Sequence, residues 1–241
     1  MQTPQTRRPI TDERGGVAKL LITLLVLVVI AGGAAYWFLI REDTKPKPKI
    51  TETPIAAGPG TVDGTWTLAP NDADGSLAQY RIGEQFADGL VHSEATGHTT
   101  DVKGTMKISG STVSNVDITA NLAALKSDKD FRDGIIRDRG LETNKFPTAT
   151  FVSTAPATLP SAPVKGATVD VPITGNLTLH GVTKPVTITL KGRWDGAKIQ
   201  VVGDLAIKLP DYGMTAPTSQ IVAAVDDHGS LELKLFFTKA S

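Results

Sequence analysis

From Thr168 to Leu179 the chain alternates: Val169, Val171, Ile173, Leu177 and Leu179 fall on one face, and Thr168, Asp170, Thr174 and Thr178 on the other. A period of two is that of a strand with one face in a core and one in water; a helix cannot present it as a single stripe. The pattern returns at Val186, Ile188 and Leu190, at Ile199, Val201, Leu205 and Ile207, and at Leu231, Leu233, Leu235 and Phe237. Shorter candidates are Trp66–Leu68, Ala78–Ile82, Met106–Ile108, Val116–Leu122 and Thr150–Val152. Asp74-Gly75, Gly110, Asp195-Gly196 and His228-Gly229 read as the turns that bound them. Many short strands joined by short turns predict an antiparallel sandwich or barrel over residues 61–241, a stretch long enough to enclose a cavity.

One stretch breaks the alternation, SDKDFRDGIIRDRGLETNKFP (127–147). Ser127 is a candidate helix cap, with Asp130 three residues on and Asp128 in the first turn, where the backbone is positive. Phe131 and Ile135, four apart, share a face; Gly140 can end the helix and Pro147 blocks its continuation. A single short helix inserted into a β-domain is suited to plug or cover one end of a barrel.

The first sixty residues are of another kind. Leu20–Ile40 carries no charge over 21 residues; at about 1.5 Å per residue it spans about 30 Å, the hydrocarbon thickness of a bilayer. Tyr36 and Trp37 sit where an interfacial belt would be. The rival is a cleaved leader, for which Gly33-Ala34-Ala35 offers small residues, but the apolar run continues to Ile40. The expectation is a cytoplasmic tail (1–19), a single transmembrane anchor (20–40) and a Pro/Lys-rich spacer (41–60). Alternating Lys-Pro in the spacer favours a semi-rigid extended chain that holds the next domain off the membrane. Four cations flank the run on each side (Arg7, Arg8, Arg14, Lys19; Arg41, Lys45, Lys47, Lys49), so charge does not orient it.

Twenty-five basic residues balance 25 acidic ones, and there is no Cys. Zero net charge argues against a nucleic-acid partner, and the missing Cys removes disulfides and thiolate metal sites. Of the four histidines, no pair has the i, i+4 spacing of a helical zinc site. His92 and His98 lie in VHSEATGHTTD, read as a polar loop or edge strand. Asp226-Asp227-His228 reads as a turn before a strand, and His180-Gly181 as a hairpin turn. No nucleophile elbow, P-loop or dinucleotide fingerprint is present. The reading is therefore not an enzyme, with no catalytic residue, metal or cofactor.

RDRGLETNKFPTATF (137–151), GNLTLHGVTKPVTITL (175–190), DYGM (211–214) and VDDHGSLELKLFF (225–237) resemble the YceI-like family; GTWTLAP (64–70) and SLAQYRIGE (76–84) fit its first strands. The resemblance implies a lipocalin-like antiparallel barrel outside the cytoplasmic membrane. It also implies an apolar tunnel able to hold a long isoprenoid, a polyprenyl chain or quinone tail. The combined expectation is an all-β, lipocalin-like barrel with one short inserted helix, preceded by a single N-terminal transmembrane helix. Its partners would be an isoprenoid lipid and the membrane; the oligomeric state has no signal in the sequence. Phe131, Ile135, Ile136, Leu141, Phe146 and Phe151 are candidates for the tunnel mouth, with Tyr212 and Met214 further in. Arg132, Arg137 and Arg139 are candidates for the lipid head group, because guanidinium forks suit phosphate oxygens. Asp128 and Asp133, each four residues before an arginine, offer local pairing instead. The alternative function is a structural or protein-interaction domain of the cell envelope.

Overall fold

The computed structural model describes residues 13–39, 44–58, 60–68, 75–86, 92–219 and 222–240; in the N-terminal helix, side chains are described for 22–35. The chain divides into two units, Met1–Arg41 and Glu42–Ser241.

The first unit holds helix α1 (Glu13–Leu39). The side chains of residues 22–35 are all exposed. Among the described residues no helix is long and apolar enough to cross a membrane. The side chains of Tyr36 and Trp37 lie outside the described residues, as do Ile40 and most of the tail.

Among its described residues the second unit holds twelve strands: β1 (Gly64–Leu68), β2 (Leu77–Phe86), β3 (His92–Thr99), β4 (Val102–Ser109), β5 (Thr112–Asn121), β6 (Lys126–Ser127), β7 (Thr148–Ser153), β8 (Ala157–Thr158), β9 (Thr168–Leu179), β10 (Val182–Trp194), β11 (Lys198–Lys208) and β12 (Val222–Lys239). Eight of them close a ring in the order β1-β4-β5-β7-β9-β10-β11-β12, completed by β12 pairing back onto β1. All these ladders are antiparallel. Closure removes the exposed edge that an open sheet would present. The register puts the apolar face of every long strand inward: Ile188 opposes Ile173, and Val201 opposes Leu235.

The β9–β10 turn is His180-Gly181, as the sequence predicts; both residues have positive φ (51° and 75°), the twist of a two-residue hairpin turn. Asp195-Gly196 also turns the chain, with Asp195 Oδ1 accepting from the backbone N–H of Ala197 and Lys198. His228-Gly229 is not a turn. It lies inside β12, where a register shift between Val225 and Gly229 against β2 makes a bulge. A Cβ at Gly229 would come within 2.5 Å of the Arg81 carbonyl, so this close approach needs glycine. His92 and His98 lie on β3, paired along its length with β2.

The inserted helix α2 (Asp130–Ile135) continues as a turn of π-helix, Ile136–Gly140. Its start differs from expectation: Lys129 occupies the cap position and its side chain makes no capping hydrogen bond. Ser127 instead bonds Asp133, through its N–H (2.8 Å) and its hydroxyl (2.7 Å). The carboxylate that answers Ser127 is thus one turn further along than Asp130.

The spacer reading requires the largest revision. Residues 44–58 form neither helix nor strand, but they lie along the outer wall of the barrel. Lys45 N–H bonds Thr96 Oγ1, and Thr51 N–H bonds Gln200 Oε1 (2.9 Å). Arg193 holds Thr53 by its hydroxyl (2.9 Å) and carbonyl (2.7 Å), and Ala56 N–H donates to the Asp195 carbonyl. Under this strap lies a polar cluster on the outside of β2 and β12. Glu232, with 0% exposure, accepts from Arg81 Nε (2.7 Å) and Gln79 Nε2 (2.7 Å), while Arg81 Nη2 donates to the Lys45 carbonyl (2.6 Å).

Candidate functional site

The barrel interior is not filled. A cavity of about 300 Å³ runs through it, at the lower end of the range of ligand pockets, about 300–1,000 Å³. Its wall is aliphatic because the inward positions of the strands are: Val171, Ile173 and Leu177 on β9, Ile188 and Leu190 on β10, Val201, Leu205 and Ile207 on β11, Leu231, Leu233 and Leu235 on β12. The helix α2 and its π-turn cover one end, where Phe131, Arg132, Ile135, Ile136 and Leu141 line the cavity together with Met214. Phe151 on β7 lines it as well.

Of the residues expected at the mouth, these seven converge and four do not. Phe146 packs on the ring of His180, with centroids 4.3 Å apart, instead of on the lumen. Tyr212 is buried in a core cluster with Leu122, Leu125 and Leu179; those three line the cavity, and Tyr212 does not. Arg137 and Arg139 are exposed on the π-turn and do not line the cavity. Arg132 faces inward, but two carboxylates already meet it: Glu84 (Nη2–Oε2 3.0 Å) and Asp128, the i, i+4 partner. Asp133 turns to Ser127 and Lys126 instead of to Arg137.

Tyr80, Glu84 and Trp194 are among the lining residues that were not candidates. Tyr80 and Glu84 follow Ala78 at inward positions of β2, so alternation carried to the end of that strand points to both. Burial pushes the Tyr80 phenol up, against the opposing pull of Arg132, and keeps it neutral; its hydroxyl has no hydrogen-bond partner among the described residues. Trp194, the last residue of β10, lines the cavity at the end remote from α2, and Lys165 Nζ stands 5.2 Å from its ring centre.

His180 ties the covered end together. Its Nε2 lies 3.0 Å from Glu142 Oε2, in the loop after the lid, and its Nδ1 3.2 Å from the Tyr212 carbonyl. Lys145 and then His180 hold the Glu142 carboxyl below its usual range. A lowered folded-state value means that this contribution is present above the unfolded value of about 4.3 and is lost as pH falls through the folded one. Once exchange rates are corrected for the intrinsic pH dependence of amide exchange, the protection of amides in residues 141–146 is expected to fall as wild type is acidified below about pH 4. In Glu142→Gln the same amides are expected to be weakly protected already at neutral pH, with no acid step. An acid step retained in the variant would assign it to another group.

Among the described residues no group of three or more His, Asp or Glu is placed to hold a metal ion. His228 is exposed, and its ring bonds its neighbour Asp227 (2.9 Å).

The fold recurs in known proteins. A polyisoprenoid binding domain from Saccharophagus degradans superimposes with a TM-score of 0.55 at 18% identity, over 74% of this chain and 99% of its own. The YceI protein of Campylobacter jejuni does so at 0.50 and 19% identity, over 60% and 85%. At such identities these likenesses concern the fold. In sequence, Protein YceI of Salmonella arizonae and of Salmonella newport are each 36% identical over 120 residues, 46% of this chain. The chain spans 59% of the length of these curated relatives. The model of the YceI-like domain matches residues 66–237, from the tryptophan of β1 to the last inward phenylalanine of β12. That match takes in the whole ring that encloses the lumen, and the chain belongs to the YceI-like family.

Proposed function

We propose that the barrel binds one long-chain isoprenoid lipid in its lumen, and that the protein is held at the cell membrane by residues 20–40 with the barrel on the extracytoplasmic side. The observation that carries the first part is the cavity: about 300 Å³, walled by aliphatic side chains, under a lid whose inner face is Phe131, Ile135 and Ile136. An empty apolar space of this size forfeits packing that a sequence could recover by enlarging a few side chains. The polyisoprenoid binding domain from Saccharophagus degradans, with the same fold, supplies the ligand class.

Energetics favour selection by fit over raw affinity. Burying five carbons at about 0.8 kcal/mol each gives roughly 4 kcal/mol per isoprene unit against water. Eight units would pass the practical ceiling of about 18–21 kcal/mol, so simple addition fails. The lipid also starts in a bilayer as apolar as the lumen, and tail burial nearly cancels on transfer. Chain length and head group then decide what is retained. At the lid Arg132 is already compensated by Glu84 and Asp128, which favours a neutral, quinone-like or alcohol head there over a diphosphate.

The anchor rests on the uncharged run Leu20–Ile40. It keeps the barrel near its lipid supply and raises the effective ligand concentration without a new contact. Full-length protein should stay with membranes through an alkaline wash and leave only with detergent; release by the wash alone contradicts the anchor.

For the lumen, the test is thermal unfolding of the full-length chain in detergent with and without solanesol, a long isoprenoid alcohol. A ligand at a hundred times its dissociation constant stabilises by about 2.7 kcal/mol, a rise of roughly 5–10 °C for a protein of this size. An unchanged midpoint across the accessible concentration range counts against the lipid.

A further inference from the structure

Among the described residues, the lumen contains one strand position where a side chain is missing and nothing of the protein replaces it. On β10 the inward residues run Ile188, Leu190, Gly192, Trp194, and the register sets Gly192 between Val169 of β9 and Val201 of β11. Two other inward glycines are filled by neighbours. A Cβ at Gly175 would come within 2.6 Å of the Phe151 ring, and one at Gly203 within 2.6 Å of Leu190 Cδ2. Packing explains those two. A Cβ at Gly192 would meet nothing within 4 Å, although the residue lines the cavity. Its backbone is not in the left-handed region, so no φ requirement calls for glycine. Glycine also weakens a strand interior. Gly192 therefore incurs a cost in its strand and leaves a void in the wall.

We propose that Gly192 sets how long a chain the lumen accepts: the space beside it, bounded by Leu190 and Trp194, receives the end of the isoprenoid chain. This inference rests on the lipid reading above and adds to it the residue that measures the ligand. The position suits that role. Gly192 is level with Val201, while Ile207, on the same inward face, lies six residues along β11 towards the lid, about 20 Å at strand rise. A chain lying between these points has its far end at Gly192. A leucine there would project into open space, occupying what the last carbons of a ligand otherwise fill, without displacing a neighbour of the protein. In an apolar pocket, room lost to one or two methylene groups changes selectivity by about tenfold or more.

The test uses the full-length chain in detergent as wild type, Gly192→Val and Gly192→Leu. Each is incubated with an equimolar mixture of farnesol, geranylgeraniol and solanesol, isoprenoid alcohols of increasing length. Free lipid is removed, and the retained alcohols are extracted and quantified by mass spectrometry. The ratio of solanesol to farnesol is expected to fall at least about tenfold in Gly192→Leu, and by less in Gly192→Val. Both variants should keep the wild-type melting midpoint or exceed it; if leucine does not fold, the valine variant decides. An unchanged ratio, whether total retention holds or falls evenly across the series, overturns the proposal while the lipid reading stands. If wild type retains none of the three alcohols, the lipid reading falls and this proposal with it.

Discussion

Glu232→Ala is expected to destabilise the barrel by about 3–5 kcal/mol, the second-unit transition shifting down by roughly 10 °C or more. Glu232 is fully buried on the outer side of β12, and its two oxygens accept from Arg81 and Gln79. Alanine leaves the Arg81 guanidinium, with side-chain exposure of 8%, facing a gap where its closest carboxylate stood. Its remaining carboxylate partner, Glu94, is 61% exposed and compensates little. The cost arises from breaking the pair, not from the pair's net worth. The joint change Arg81→Met with Glu232→Leu is therefore expected to cost less than Glu232→Ala alone, since no buried charge is left uncompensated. Urea unfolding of the three proteins measures both. A loss below about 1 kcal/mol for the single variant would mean that solvent reaches Arg81 freely and that the strap over residues 44–58 is not docked in solution.

Trp66→Ala is expected to cost a similar amount, about 3–5 kcal/mol, for a different reason. The indole has 0% exposure, packs in the main core cluster and donates from Nε1 to the Val62 carbonyl at 2.8 Å. β1 is five residues long and closes the ring between β4 and β12, so Trp66 is the largest group that seals this seam. Alanine removes the ring, opens a cavity and leaves the Val62 carbonyl unpaired. Trp66→Phe retains most of the volume and loses only the hydrogen bond, so its cost should be markedly smaller. Equal losses for the two variants would place the weight on the hydrogen bond instead of on packing.

What was legible in the sequence follows the range of the interactions involved. Val169 to Leu179 and Leu231 to Phe237 announced their inward faces because a strand's side chains alternate whatever it pairs with. The hairpin at His180-Gly181 was readable from local backbone demands; the lid ends at Gly140 as expected, but the left-handed residue that follows it is Glu142. Asp226-Asp227-His228-Gly229 misled, since a bulge in a long strand needs the same small and polar residues as a turn. The docking of residues 44–58 could not be read at all. Its donors and acceptors on the barrel, Thr96, Arg193 and Gln200, are about 50 to 150 positions away, and an extended chain with backbone bonds has no side-chain period.

The site divides in the same way. Phe131 and Ile135 were visible as an apolar pair four apart, and the Asp128–Arg132 pair by its helical spacing. The second partner of Arg132, Glu84, comes from β2, and only the closed barrel brings the two within 3.0 Å. Phe146 and Tyr212 were apolar and close in sequence to lining residues, yet Phe146 packs on His180, and Tyr212 packs among Leu122, Leu125 and Leu179, which line the cavity while it does not. Trp194 and Gly192 sit at the inward beat of β10, and a glycine on that beat gives no hydrophobic signal although it shapes the lumen.

The most direct test of the central claim is the mass of what the barrel carries. Full-length protein is taken from its own membranes in mild detergent, weighed intact by native mass spectrometry, and then extracted with organic solvent for lipid identification. One isoprenoid lipid per chain, seen as a single adduct and recovered in the extract, is the predicted result. A bare chain with no isoprenoid in the extract, repeated after incubation with membrane lipid, would contradict it.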